Sequence, residues 1–329
     1  MSKYLVTGAT GFVGSHIAEA LVKKGAQVVT VARATSDTKF LESLGVEIVR
    51  GDLSEPETIE KAMQGVKAVI NSAAKVGDWG PVEEYRKVNV ESVALLLEAC
   101  RRHPVDRFVH ISSLGVYEAK DHHGTDETVA PPKQHMDGYT QTKVEAEDVV
   151  TGYHKNHGIP TVILRPGFVY GPRDRTVLPR LIDKLTRGKI KYIGDKTKRM
   201  NTIHVTNIVQ AVFLALEKPQ AVGEIFNITD DEEVTKQRFM ETICAETGLT
   251  PPSRTVPYFI AKTAAGLLER VAKLRRAKKA PPVTRAQVKF MGQNLHYSCE
   301  KAKKLLGYQP TMKFAPGMNE MIAWWQANQ

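Results

Sequence analysis

The chain opens Met1-Ser2-Lys3-Tyr4-Leu5-Val6-Thr7-Gly8-Ala9-Thr10-Gly11-Phe12-Val13-Gly14. Residues 4–6 are an apolar run that reads as a buried strand. Three glycines follow at intervals of three, and Val13, Ile17, Ala18, Leu21 and Val22 then recur along one side of a helix. Strand, glycine turn and helix make a cradle for a dinucleotide. Gly8 permits the tight turn, Gly11 lets a pyrophosphate reach the backbone, and Gly14 lets the helix sit close to the strand, with Thr10, Phe12 and Val13 completing the wall. The first-turn amides and the positive dipole end of the helix suit phosphates. The spacing is GxxGxxG rather than GxGxxG, and a glycine triplet alone is weak. Its place directly after a strand and before a helix carries the reading.

Outward from this cradle the first half alternates strand and helix. Strands are expected at 27–31, 46–49, 68–71 and 108–112, with helices at 39–44, 56–63 and 83–102 between them. This is the rhythm of a doubly wound parallel α/β sheet, with ligands at the carboxyl ends of the strands. Residues 120–138 read as a loop, 139–157 as a helix and 161–164 as a sixth strand. The sequence divides into a Rossmann-type domain over 1–165, with sheet and helix elements returning at about 200–229. A smaller, mostly helical substrate lobe covers 166–200 and 230–329.

At 329 residues and 42% hydrophobic content the chain has ample material for a large core. No run of eighteen apolar residues occurs, so no transmembrane helix is expected, and the chain enters a strand without a separate signal segment. The 3 cysteines, Cys100, Cys244 and Cys299, are too far apart to suggest a disulfide framework or metal cluster, which fits a reducing cytoplasm. The net charge of +10 is concentrated in residues 254–304, which hold 13 Lys or Arg against 2 Glu. No interleaving of aromatic and basic residues suggests a nucleic-acid groove. Ten histidines show no ligand spacing, and no metal is expected.

The end of the second strand discriminates between nicotinamide cofactors. No Asp or Glu lies between Gln27 and Ser36, whereas Arg33 does, with Lys39 nearby. A guanidinium there stacks on adenine and binds a 2′-phosphate, which favours NADP over NAD. Asp52, past the third strand, is placed to accept from the adenine amino group, with Leu53 beside the ring. Ala73 and Ala74, followed by Lys75, are small enough to let backbone run along the cofactor.

Tyr139 and Lys143 stand at i and i+4 on one helix face. An ammonium beside a phenol stabilises phenolate and prepares the tyrosine for proton exchange with a carbonyl or alcohol oxygen. Ser112 and Ser113, ending the fifth strand, offer a hydroxyl to the same oxygen. Asn89 sits inside a helix, where an Asn needs a reason, either cofactor binding or bracing the loop that carries Ser112. Trp79 is placed to wall a substrate pocket.

Taken together, Thr7–Gly14, Gly51-Asp52-Leu53, Ala73-Ala74, Asn89-Val90, Ser112-Ser113, Tyr139-x-x-x-Lys143 and Arg165-Pro166-Gly167-x-Val169-Tyr170-Gly171-Pro172 resemble the extended short-chain dehydrogenase/reductase superfamily. The likeness covers nearly the whole chain. It implies an NAD(P)-dependent dehydrogenase or reductase in which Tyr139 is the acid/base, Lys143 holds the nicotinamide ribose and Ser113 binds the reacting oxygen. It also implies that residues 165–169, with Pro166, Gly167 and Val169, close over the nicotinamide end. Residues 73–80, 281–285 and 301–310 resemble the 3-beta-hydroxysteroid dehydrogenase and 2-alkyl-3-oxoalkanoate reductase branch, which implies hydride transfer on an apolar 3-oxo acyl or sterol-like substrate. A nucleotide-sugar 4-epimerase with tightly bound NAD is the alternative, for which Arg173, Arg175, Arg180 and Arg199 would supply diphosphate contacts. A non-catalytic NAD(P)-binding protein is a further alternative, against which the presence of Ser113, Tyr139 and Lys143 argues. The family also implies a homodimer through the 83–102 and 139–157 helices.

Late in the chain, Phe259, Ile260, Ala261, Ala264, Ala265, Leu267, Leu268, Val271 and Leu274 form an apolar helical stripe. Lys262, Arg270, Lys273, Arg275, Arg276, Lys278 and Lys279 surround or follow it. Residues 259–279 are either a helix packed on the second lobe with a solvated face or a peripheral membrane contact.

Overall fold

The computed structural model describes residues 1–277 and 279–329; Lys278, one of the basic residues noted above, lies outside the described residues. Seven parallel strands form the central sheet: β1 (Lys3–Thr7), β2 (Gln27–Ala32), β3 (Glu47–Arg50), β4 (Val66–Asn71), β5 (Arg107–Ile111), β6 (Thr161–Pro166) and β7 (Ile225–Ile228), in the order β7-β6-β5-β4-β1-β2-β3. The order reverses between β1 and β4, so the crevice opens at their carboxyl ends, where doubly wound folds bind ligands. One face is packed by α1 (Phe12–Lys23) through Ile17 and Leu21, and by α4 (Val205–Glu217) through Ile208 and Val212. The other is packed by α2 (Ser92–Arg102) through Leu96 and Leu97, and by α3 (Gly138–His157) through Val150. Strands buried on both faces explain their nearly continuous Val, Ile and Leu content.

A smaller, more helical lobe follows. Its core joins Leu178, Ile182, Met200, Phe239, Met240 and Phe314. Among the helices of this lobe that border the crevice are α5 (Tyr258–Leu274) and α6 (Arg285–Gly292).

Two features depart from the sequence reading. The expected 83–102 helix is α-helical at Val82–Arg86, opens into a π-turn at Lys87–Glu91, and resumes as α2. Such widened turns gather at functional sites, and this one carries Asn89. Within the expected 120–138 loop, His122–Thr125 is a strand paired in parallel with Leu295–Tyr297. Its sequence, His-His-Gly-Thr, has no apolar alternation. The pairing is held instead by the His122 ring against Tyr297, with centroids 4.5 Å apart, and by the Asn294 amide N–H donating to Asp121 at 2.8 Å.

No helix among the described residues is long and apolar enough to cross a membrane. On α5, Ala261 and Ala265 are buried, Ile260, Ala264 and Leu268 face the crevice, and Phe259, Leu267 and Leu274 stand exposed.

Candidate active site

The crevice encloses about 2960 Å³. That is several times the ~300–1,000 Å³ of a typical small-ligand pocket, so it accommodates a dinucleotide and a second ligand together. At one end lies the glycine turn. Gly8 has φ +68°, and a Cβ there would lie 2.8 Å from the Ala73 backbone. A Cβ on Gly14 would lie 2.3 Å from the Gly8 carbonyl oxygen. Neither position admits a side chain, so the strand, turn and α1 close up as a dinucleotide cradle requires. Gly11 is the N-cap of α1 and contributes no capping side chain, so the first-turn amides are left for an anion. Gly8, Thr10, Gly11, Phe12, Val13 and Gly14 all line the crevice.

Beside the cradle, the Thr7 hydroxyl donates to Asn71 Oδ1 at 2.6 Å and accepts from the Ala73 amide at 3.2 Å. This fixes the start of the Ala73-Ala74-Lys75 segment along the crevice wall. Asn89 serves the same segment from behind. Its Oδ1 accepts from the Lys75 N–H at 2.7 Å, while its Nδ2 donates to Lys75 O at 3.0 Å and to Thr142 Oγ1 at 3.0 Å. Asn89 is buried and does not line the crevice. Its bonds therefore brace residue 75 against α3 rather than the loop that carries Ser112. The π-turn and the buried amide serve one purpose, since the widened turn carries the side chain that locks the loop to the catalytic helix.

At the adenosine end, Arg33, Asp52 and Leu53 line the crevice. Asp52 Oδ1 accepts from the Ser54 amide and hydroxyl at 2.9 and 2.8 Å. These bonds, with the nearby Arg33 charge, hold its carboxyl below the usual carboxylate range despite partial burial. Phe40, not Lys39, reaches the crevice, and so does Asp37, one residue beyond the stretch in which no acid was found. The wall beside Arg33 is thus less purely basic than the sequence suggested.

The end of the crevice that holds Ser113, Tyr139 and Lys143 is built on β5 and α3. Asp137 caps α3 by accepting from the Thr140 amide at 2.8 Å, which sets Tyr139 in the first turn. Both adjacent serines border the crevice, but Ser112 is buried and donates its hydroxyl to Glu147 Oε1 at 2.5 Å, whereas Ser113 is the more exposed of the two. Ser113 Oγ accepts from the Gly115 amide at 3.0 Å, and its hydroxyl lies on the side of the phenol of Tyr139, whose ionisation it favours. Lys143 is buried and donates from Nζ to Ile111 O at 2.7 Å. Burial pushes its ammonium down to about 8, with the Glu147 charge opposing.

The interaction expected between lysine and phenol differs from the one observed. The Lys143 ammonium lies 6.0 Å from the Tyr139 ring centroid. Burial pushes the Tyr139 phenol up to about 12. Ser113, not Lys143, is the group that opposes the effect of burial on the phenol.

A stability prediction follows from Lys143. An unfolded lysine keeps its proton to about 10.5, but the buried one releases it near 8. Between these values the unfolded state binds more protons, so stability rises with pH through this group, and below that window its burial cost is felt in full. The urea stability of wild type relative to Lys143→Met should therefore improve between neutral pH and about pH 9.5. An equal difference at both pH values would show that the ammonium is solvated.

Pro166, Gly167 and Val169 line the crevice as expected, but Arg165 does not. It is buried beneath the site, paired with Glu147. Trp79 is likewise off the crevice, and its indole N–H donates to Ala277 O at 3.0 Å, tying the 75–82 loop to the smaller lobe. Arg173 lines the crevice but reaches back to α1, where it donates to His16 Nε2 at 3.0 Å and pairs with Glu19 at 2.7 Å. It belongs to the cradle side, not to a free anion contact. Arg199 pairs with Glu233 away from the crevice. Sequence reasoning missed Glu147, which continues the Tyr139, Lys143 stripe by four further residues, and Lys289, which the second lobe brings to the crevice.

A model of the NAD dependent epimerase/dehydratase family matches residues 4–229. The chain belongs to this family. Among curated members, the 2-alkyl-3-oxoalkanoate reductase of Shewanella oneidensis is 31% identical over 335 residues, spanning 98% of this chain and 86% of the relative. The sterol-4-alpha-carboxylate 3-dehydrogenase of Candida albicans is also 31% identical, over 98% of this chain and 97% of the relative. Among solved structures, UDP-glucuronic acid 4-epimerase from Bacillus cereus, in complex with UDP-glucuronic acid and NAD, superimposes with a TM-score of 0.78 at 26% identity, covering 99% of this chain and 100% of that one. The family makes the chain an NAD(P)-dependent enzyme of the oxidoreductase and epimerase type, and the glycine cradle fits such a cofactor.

Proposed function

We propose that the chain interconverts a ketone and a secondary alcohol on a largely apolar substrate. The observation that carries this reading is the wall beyond Ser113 and Tyr139, where Leu114, Phe168, Ile193, Met240, Phe290 and Leu295 line the crevice. The sequence similarity to the 2-alkyl-3-oxoalkanoate reductase and the sterol-4-alpha-carboxylate 3-dehydrogenase supports it.

A bound nicotinamide supplies the hydride for reduction or takes it in oxidation. In reduction, Ser113 Oγ and the Tyr139 hydroxyl hold the substrate oxygen, and Tyr139 gives its proton to that oxygen as the carbon accepts hydride. Lys143, fixed on Ile111, places a positive charge at the floor of the site. Gly8, Gly11 and Gly14 would hold the pyrophosphate, and residues 73–75 and 166–169, which line the crevice, would hold the nicotinamide half.

A second reading, nucleotide-sugar 4-epimerisation, is favoured by one observation and by the similarity to UDP-glucuronic acid 4-epimerase. Arg175, Arg180, Lys184, Lys189 and Lys191 line one side of the crevice, where they suit a diphosphate. Titrating the protein with NADPH and NADH at the nicotinamide absorbance, with 3-oxo acids, sterols and nucleotide sugars in turn, separates the two. Net oxidation of the nicotinamide by an apolar ketone supports the first reading. Conversion of a nucleotide sugar without net redox change replaces it.

The cofactor form rests on residues 33 and 37. Arg33 argues for NADP, whereas Asp37 and the NAD of the solved epimerase argue for NAD. Arg33→Ala should weaken NADPH by about tenfold, the scale of one charged hydrogen bond, and NADH far less. Equal weakening of both would remove Arg33 from 2′-phosphate recognition.

A further inference from the structure

Lys289 is a cation at the substrate end of the crevice that the mechanism above does not use. It lies on α6, which Thr284 caps by accepting from the Gln287 amide at 3.2 Å, and it lines the crevice. Its Nζ donates to Gly115 O at 3.1 Å and to Tyr117 O at 3.0 Å. Both carbonyls belong to the turn that begins at Ser113, whose Oγ accepts from the Gly115 amide at 3.0 Å. The ammonium is therefore held by the backbone two and four residues beyond Ser113, on the same short turn as its hydroxyl.

An ammonium has three donors, and two are spent on these carbonyls, leaving one for a ligand. Among the described residues no Asp or Glu forms an ion pair with Lys289. The acid that acts on it through space is Asp137, whose carboxylate is already engaged by the Thr140 amide and hydroxyl at 2.8 and 2.7 Å. Lys289 is half-buried, and a partly desolvated cation without an anion carries a cost that a bound anion offsets. Burial accordingly pushes the Lys289 ammonium down. Its own charge helps to push His135 and His122 down, so these neighbours stay neutral and do not compete for an anion.

We propose that Lys289 binds the carboxylate of a 3-oxo or 3-hydroxy acid whose C3 oxygen lies between Ser113 and Tyr139. This deepens the oxidoreductase reading and rests on it. In such an acid a single carbon separates the carboxyl carbon from the reacting carbon, so both oxygen-bearing groups meet the same short turn. The apolar wall is left to the alkyl or ring portion. A neutral ketone of the same skeleton would fill that wall and leave Lys289 without its anion. Lys289 is on this account a specificity-determining residue, not a participant in the proton or hydride step.

The test compares kcat/KM for a matched pair, a 3-oxo acid and its methyl ester, with NADPH or NADH, in wild type, Lys289→Met and Lys289→Arg. Wild type should favour the acid, and Lys289→Met should cut the acid-to-ester ratio by about ten- to a hundredfold, the scale of a charge-assisted hydrogen bond, mainly through KM. Lys289→Arg should retain most of the preference, because the charge remains. Since the ratio is taken within one variant, a general loss of folded protein does not move it. A ratio unchanged in Lys289→Met overturns the assignment while leaving the oxidoreductase reading standing. Turnover of neither acid nor ester by wild type, with conversion of a nucleotide sugar, overturns the oxidoreductase reading and this assignment with it.

Discussion

Tyr139→Phe should lower turnover about 100- to 10,000-fold, the usual range for a positioned general acid, while leaving nicotinamide binding close to wild type. The substitution keeps the ring and removes only the hydroxyl, so the first turn of α3 and its Asp137 cap stay intact. The phenol's proton is held up to about 12 in the buried site. At neutral pH Tyr139 is therefore loaded to give a proton, which suits reduction. For alcohol oxidation the sign reverses, because the group must first lose that proton, so oxidation should gain from rising pH where reduction does not. The measurement is kcat in both directions at the nicotinamide absorbance, with the cofactor dissociation constant determined in parallel. Unchanged turnover would assign the proton to another group. Unchanged turnover in Ser113→Ala as well would move the reacting oxygen away from this end of the crevice.

The part of this site legible in the sequence is the part encoded by local spacing. Gly8, Gly11 and Gly14 sit on one turn, and Tyr139 and Lys143 on one helix face, so distance along the chain translates directly into distance in space. The same logic extends to Glu147 at the next i+4 position, which the stripe already contained. Where contacts join distant segments, spacing carried no such information. Residue 289 comes to residues 115 and 117 because α6 packs against the turn after β5, and nothing local marks that lysine. Trp79 and Arg173 illustrate a related point. Both lie in loops that border the crevice, and loop position alone does not say whether a side chain faces in or ties two segments together. Trp79 bonds to residue 277 and Arg173 to α1, so each is a strut. Asp37 lies one residue past the acid-free stretch 27–36 and lines the crevice, because the loop after β2 stays at the crevice wall through residues 36 and 37.

Arg165→Met should cost about 3–5 kcal/mol of stability, the loss seen when one partner of a buried ion pair is removed. Arg165 and Glu147 are 2% and 5% exposed, and two parallel bonds join them, Nε to Oε1 at 2.9 Å and Nη2 to Oε2 at 2.5 Å. Such a fork is the strongest geometry available to the pair. The third guanidinium nitrogen and the neighbouring side chains are also engaged. Arg165 Nη1 donates to the Tyr117 hydroxyl at 2.9 Å, that hydroxyl donates to Asn227 Oδ1 at 3.0 Å, and Ser112 donates to Glu147. The network thus joins the end of β5, the catalytic helix α3, β6 and β7 directly beneath Ser113 and Lys143. Removing the guanidinium strands a carboxylate in this interior, which a urea titration would register as a lower midpoint. If Arg165→Met costs less than about 1 kcal/mol, the pair is solvated like a surface ion pair. The double variant Arg165→Met, Glu147→Leu separates two roles. Buried pairs replaced by apolar residues often regain most of the lost stability, so the double variant should unfold near the wild-type midpoint. Its turnover should nevertheless stay low, because Ser112 then has no carboxylate to anchor it, and the Ser113 hydroxyl beside it loses its fixed approach to Tyr139. Recovery of both stability and turnover would mean that apolar packing alone can place the catalytic residues.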